Sequence, residues 1–178
     1  GEHAYGDGLI ARVVGFSGQY RYASTVASQG RVDGDYTGLE AMLGYQKVFT
    51  AFTLRGYAGL DYEGHQLSPA NRFDGNSGGH VGGKVRLDVE SDFAMPNYVN
   101  LIATYSSARD RYWVRARGGR DFSGFVVGPE ILATGDHYAH EERYGVFVNV
   151  RHFLPALLSI SAGQARTPAG SAGVTPYA

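Results

Sequence analysis

The sequence predicts an all-β chain, an antiparallel up-and-down transmembrane β-barrel of about nine to ten strands. Three observations predict it. Apolar and polar residues alternate with period two from end to end. The connections between alternating runs tend to be long and short in turn. Tyr and Phe gather near the ends of the runs. Composition agrees: 26 Gly and 13 Tyr against a single Trp suit a chain of many turns and aromatic-lined surfaces. Cys is absent, which excludes a disulfide framework, a thiolate metal site and a thiol nucleophile. Sixteen Lys and Arg against 17 Asp and Glu leave a net charge of −1, so nothing suggests a nucleic-acid partner. The opening "GEHAYGDG" lacks the basic start and apolar run of a signal peptide, and no stretch has the ~18 apolar residues of a transmembrane helix.

The first strand is expected over 8–22, ending in "YRY". The second, over 37–48, sets Glu40 and Gln46 opposite Leu39, Ala41, Leu43 and Tyr45. Its "EAMLGYQKV" contains helix formers, but Gly44 and the flanking alternation argue for a strand. The third, 51–63, sets Arg55, Tyr57, Asp61 and Glu63 opposite Ala58, Leu60 and Tyr62. In the fourth, 80–91, "GKVRLDVE" puts Lys84, Arg86, Asp88 and Glu90 on one face and Val85, Leu87 and Val89 on the other. The fifth covers 97–106, and the sixth, 110–119, aligns Arg111, Trp113, Arg115 and Arg117. The seventh, 123–135, carries Pro129, which cannot donate a ladder bond and asks for a bulge or an edge. The eighth, 141–152, aligns Arg143, Asn149 and Arg151, with Phe147 as the one large apolar residue on that face. The ninth covers 155–165 and a stub follows over 173–178. No linker or composition shift divides the chain, so 1–178 reads as a single domain.

Alternation alone fits two arrangements. A soluble sandwich, or a lipocalin- or avidin-like barrel, turns the apolar face inward; a membrane barrel turns it to lipid and fills the lumen with the polar face. The connections 23–36 and 64–79 are long, and those near 48–50, 91–96 and 152–155 short, with 106–110 short out of turn; this favours the membrane barrel with its short turns at one end. Tyr20, Tyr22, Tyr45, Phe49, Phe52, Tyr98, Tyr112, Phe122, Phe125, Tyr144 and Phe153 then read as interfacial girdles. The charged face becomes a lumen network of both signs: Glu40, Arg55, Asp61, Glu63, Lys84, Arg86, Asp88, Glu90, Arg115, Arg117, Glu130, Arg143 and Arg151. Lumen charges need partners, and Glu130 is expected to pair with Arg143 on the next strand. A near-balanced set reads as structural pairing; a lining of one sign would suggest an ion-selective pore.

The most distinctive stretch is "GPEILATGDHYAHEERYGVF", from Gly128 to Phe147. It resembles the Gly-Pro-Glu, Gly-Asp/Asn, Tyr, Arg-x-Gly signature of the cellulose biosynthesis protein BcsS family. "DGLIARVVGFSGQYRY", "EAMLGYQ", "LRGYAGLDYEGHQLSPAN", "GGKVRLDVE", "ATYSSARDRYWVRARGG" and "GVTPYA" resemble further family motifs in the same order, over nearly the whole chain. The resemblance implies a bacterial outer-membrane barrel associated with cellulose production. It implies about twelve strands in an intact relative, so this chain is expected to lack N-terminal strands and the end of its last strand. Its implied partners are outer-membrane lipid, cellulose or other cellulose-secretion subunits, and another copy through open strand edges.

A non-catalytic accessory of cellulose or exopolysaccharide secretion is therefore expected, with Tyr57, Trp113 and Tyr138 as glycan-stacking candidates. Two alternatives are a small-solute channel and an outer-membrane hydrolase acting on lipid or glycan. For a hydrolase, His65, His80, His137 and His140 fall in or beside outer loops near Ser68 and Ser77, but no Gly-x-Ser-x-Gly or His-Glu-x-x-His motif is present. Asp136, His137, His140 and Glu141 lack the fixed spacing of a metal site. No catalytic residue, metal or cofactor is expected.

Overall fold

The computed structural model describes residues 6–23, 31–68, 78–92, 96–122, 124–136, 140–150, 158–166 and 174–177. They form ten strands: β1 (Gly8–Ala23), β2 (Arg31–Val48), β3 (Phe52–Ser68), β4 (Gly78–Ser91), β5 (Asn97–Ser106), β6 (Arg111–Asp121), β7 (Phe125–Gly135), β8 (His140–Val150), β9 (Leu158–Arg166) and β10 (Val174–Tyr177). All lie in one antiparallel sheet in sequence order, each pairing only with its neighbours along the chain. Among the described residues β1 and β10 are not paired with each other, so the sheet is not closed. No described helix is long and apolar enough to cross a membrane, which says nothing about crossing by strands.

The sheet is strongly curled. Strands sit about 4.8 Å apart, so in a flat sheet β3 and β6 would stand roughly 14 Å from each other. Yet Arg111 on β6 donates to Glu63 on β3 at 2.8 Å, and Tyr98 on β5 meets Phe147 on β8 at 5.7 Å between ring centres. Glycines on the concave face make room for this curvature. A Cβ on Gly38 would stand 2.1 Å from the Phe16 ring, and one on Gly128 would stand 1.9 Å from the Gly118 carbonyl oxygen. The β6–β7 ladder skips Gly118 and Gly119 opposite Pro129 and Gly128. Pro129 is therefore at neither an edge nor a bulge; its missing N–H falls where the ladder itself is interrupted.

The two faces differ as the alternation requires. From Gly15 downward on β1 and across β2 to β9, the outward positions are apolar. They read Leu39, Ala41 and Leu43 on β2, Leu54, Ala58 and Leu60 on β3, Val81, Val85, Leu87 and Val89 on β4, and Val146, Val148 and Val150 on β8. Many stay largely exposed, Leu9 at 89% and Leu43 at 74%. Two aromatic rows bound this band. Tyr62, Tyr105, Tyr112 and Tyr144 form one; Tyr45, Phe49, Phe52, Phe122 and Phe125 form the other, and all are exposed. From Phe52 to Tyr62 along β3 is ten residues, about 33 Å at ~3.3 Å each, or about 25 Å of height at a tilt of ~40°. Tyr98 is not a girdle residue: it points inward and is buried. Tyr62 and Tyr105 take places in the rows that end-of-strand counting did not give them. The side chains of Tyr20, Tyr22 and Phe153 lie outside the described residues.

β2 and β3 run farther than the alternation predicted, from Arg31 rather than 37 and to Ser68 rather than 63. Beyond the tyrosine row both faces turn polar, with Ser17, Gln19, Arg21, Asp35 and Gln66 outward, so the two-faced pattern disappears while the ladder continues. β1 to β4 consequently stand as a tall wall of 16, 18, 17 and 14 residues, whereas β5 and β6 have 10 and 11. The turn Ser107–Asp110 folds onto the inner face of this wall. Ser107 N–H donates to the Gly83 carbonyl at 2.9 Å, and a Cβ on Gly82 would meet the Ala108 nitrogen at 2.2 Å. Asp110 holds the left-handed conformation (φ 51°) and accepts from the Tyr105 hydroxyl at 2.9 Å, an arrangement Asp tolerates.

Candidate functional site

The concave interior collects most charged side chains that lie between the two aromatic rows and arranges them in layers. At the end nearest the phenylalanine row, Tyr98, Val126 and Phe147 form a buried cluster. Phe147, the one apolar member of its polar face, is fully buried there. Above it, Arg117 and Glu130 form a buried ion pair. Arg117 also donates to Ser159 Oγ at 2.9 Å and to Ser161 Oγ at 2.7 Å, and its guanidinium lies 4.8 Å from the Phe147 ring centre. One arginine on β6 thus ties β7, β8 and β9 together. Across the interior, Arg55 pairs with Glu90 at 3.2 Å and with Gln46 Oε1 at 2.8 Å.

The middle layer centres on Lys84. Its ammonium reaches over β3 to Glu40 on β2 at 2.7 Å and stands 3.4 Å from Asp61. Glu40 also accepts from Arg12 Nε at 2.7 Å. Arg86 pairs with Asp88 at 3.3 Å, and Arg115 NH2 donates to Asn100 Oδ1 at 3.3 Å. Near the tyrosine row Glu63 is buried between Arg111 at 2.8 Å and Arg109 at 3.9 Å; Arg109 comes from the inward-folded turn. His65 stacks on Tyr36, with ring centres 6.0 Å apart. Between these layers lies a cavity of 250 Å³, lined by Phe16, Glu40, Glu63, Lys84, Arg86, Thr104, Ser106, Arg111 and Trp113.

The structure gathers Glu40, Asp61 and Lys84 into one cluster, Arg55 and Glu90 into a second, and Arg117 and Glu130 into a third. It does not give Glu130 the partner expected of it. The β7–β8 register places Gly145 opposite Glu130 and Leu132 opposite Arg143; Glu130 is held by Arg117 and Arg143 pairs with Glu141. Tyr57 lies over the inner wall, where a Cβ on Gly44 would stand 2.7 Å from its ring. Trp113 lines the cavity with Arg115 5.4 Å from its ring centre. Arg151, Tyr138, His137 and Ser77, and the side chain of Ser68, lie outside the described residues. Among the described residues no group of three His, Asp or Glu is placed to hold a metal ion.

Sequence reasoning missed Arg12, Arg109, Asn100 and Phe16. Arg12 shares its face with Ile10, Val14 and Phe16, so that face of β1 does not read as polar. Parity with Glu40 across the β1–β2 hairpin was the signal that could have found it. Arg109 sits in a turn, where alternation carries no information.

The family model for cellulose biosynthesis protein BcsS matches residues 1–177. No curated protein and no solved structure matches the chain significantly.

Proposed function

The chain belongs to the cellulose biosynthesis protein BcsS family, and from that premise we propose that it is a non-catalytic β-barrel accessory of cellulose or exopolysaccharide secretion in the bacterial outer membrane. The family carries the role in cellulose biosynthesis. The observation that supports the membrane setting is the exposed apolar band between two aromatic rows, whose height of about 25 Å is that of the lipid-facing band of outer-membrane barrels. Lipid is then the partner of this band, and in hydrocarbon the edges of β1 and β10 need partners too, either further strands or another copy. The interior supports the non-conducting reading: most of its charges are paired with one another, and Tyr98, Val126 and Phe147 pack together inside it. A paired interior of this kind suits a protein that docks secretion subunits or retains glucan rather than one that conducts it.

The test is fractionation together with deletion. The protein is expected in the outer-membrane fraction, with a heat-modifiable band on gels. Deleting its gene is expected to lower surface cellulose, and planar bilayers containing the protein are expected to show no steady conductance. A soluble protein, or unchanged cellulose in the deletion strain, overturns the proposal; an open-channel trace supports the solute-channel alternative.

A further inference from the structure

We infer that the interior cavity between Phe16 and Trp113 is a subsite for one neutral pyranose ring of a β-glucan. The identity of the sugar rests on the accessory-barrel proposal above; the subsite itself rests on geometry. The cavity's 250 Å³ corresponds to about eight water volumes at ~30 Å³ each. That is room for a single hexose. Six strands contribute to its wall, from Phe16 on β1 to Trp113 on β6. The two aromatic side chains offer apolar faces against which the C–H face of a pyranose packs. The polar part of the wall supplies both acceptors and donors: Glu40 and Glu63 accept, Lys84 and Arg111 donate. A sugar hydroxyl does both, so a wall of both kinds suits a polyol.

An ion fits the same wall poorly. Lys84 is committed to Glu40 at 2.7 Å and Asp61 at 3.4 Å, and Arg111 to Glu63 at 2.8 Å. Every formal charge in the wall already has its counter-charge, so a phosphate or a metal ion would have to displace a buried pair.

Trp113 is the only tryptophan, so its emission reports this cavity directly. The experiment titrates detergent-solubilised protein with cellobiose, and separately with inorganic phosphate and potassium chloride. A saturable emission change with cellobiose alone is expected. By saturation-transfer NMR, Trp113→Ala is expected to weaken cellobiose binding about tenfold through loss of the stacking face. Thr104→Phe, which fills the cavity and leaves the ion pairs in place, is expected to abolish binding. A heat-modifiable gel band verifies that each variant folds, and Ser106→Leu replaces Thr104→Phe if the latter does not. Unchanged emission with cellobiose, undiminished binding by a folded cavity-filling variant, or a phosphate response equal to that of cellobiose overturns the subsite. Specific cellobiose binding by a protein found outside the outer membrane keeps the subsite and refutes the accessory-barrel proposal instead.

Discussion

Glu130→Ala should be among the most damaging single substitutions in the chain. Arg117 and Glu130 are both buried, at 8% and 3% exposure, and an arginine cannot shed its charge to escape burial. Without Glu130 the guanidinium keeps Asn149, Ser159, Ser161 and the Phe147 ring, all neutral. Removing one partner of a buried pair typically costs about 3–5 kcal/mol. Glu130→Gln keeps an acceptor and loses only the charge, so about 1.5–3 kcal/mol is expected, the worth of a charge-assisted hydrogen bond. The double variant Arg117→Met/Glu130→Leu removes both charges at similar volume and should recover most of the stability, because paired charges roughly offset their own desolvation. Urea unfolding of the protein in lipid vesicles, followed by gel mobility and Trp113 emission, measures all three. A loss below about 1 kcal/mol for Glu130→Ala, or a double variant as unstable as the sum of its singles, would refute the pairing argument.

Ala58→Arg, in mid-band on the outward face of β3, should cost about 2–4 kcal/mol in vesicles, while Gln66→Arg beyond the tyrosine row should cost about 0–1; equal costs would count against the apolar band as a lipid contact. Gly38→Ala drives a methyl group to within 2.1 Å of the Phe16 ring and should destabilise by about 1–3 kcal/mol, with Phe16→Leu restoring part of the loss in the double variant. Just before β1, the Asp7 carboxylate accepts from the Lys47 ammonium and from the Val48 N–H at the end of β2, which hold its pKa below the ordinary 3.8. A depressed folded pKa means that this contact is complete above pH 3.8 and is lost only as pH falls through the lower folded value. The Val48 amide shift in NMR should therefore titrate with a midpoint below 3.8, and a midpoint above that figure would contradict the contact.

Alternation made the strands legible because each residue in the band has one of two destinations. Val85, Leu87 and Val89 could only face opposite to Lys84, Arg86 and Asp88, so period two located β4 to within two residues. Where both faces are polar, as at Asp33 to Thr37 and Gly64 to Ser68, the period has nothing to contrast, and those parts of β2 and β3 went unread. The partners of the charges were harder still. Parity says that Glu130 and Arg143 point inward, but partner choice depends on register, which sets Arg117 directly opposite Glu130, and on curvature, which brings Ser161 to Glu130 and Arg111 to Glu63 across two intervening strands. No local pattern encodes that. The cavity at Trp113 is likewise a product of six strands meeting, invisible to any window along the chain.

The neighbour-only order of the sheet has a kinetic consequence. Each ladder can form as a hairpin as soon as its two strands are present, with little loop-closure entropy to overcome. The interior contacts are of another kind: Arg111 and Glu63 are 48 residues apart, and Arg117 and Ser161 are 44. They cannot form until several hairpins have joined and bent. Zippering of ladders should come first and latching of the interior last. The contacts between distant strands then contribute little to the folding rate and much to the slowness of unfolding, as interactions absent from the transition state do.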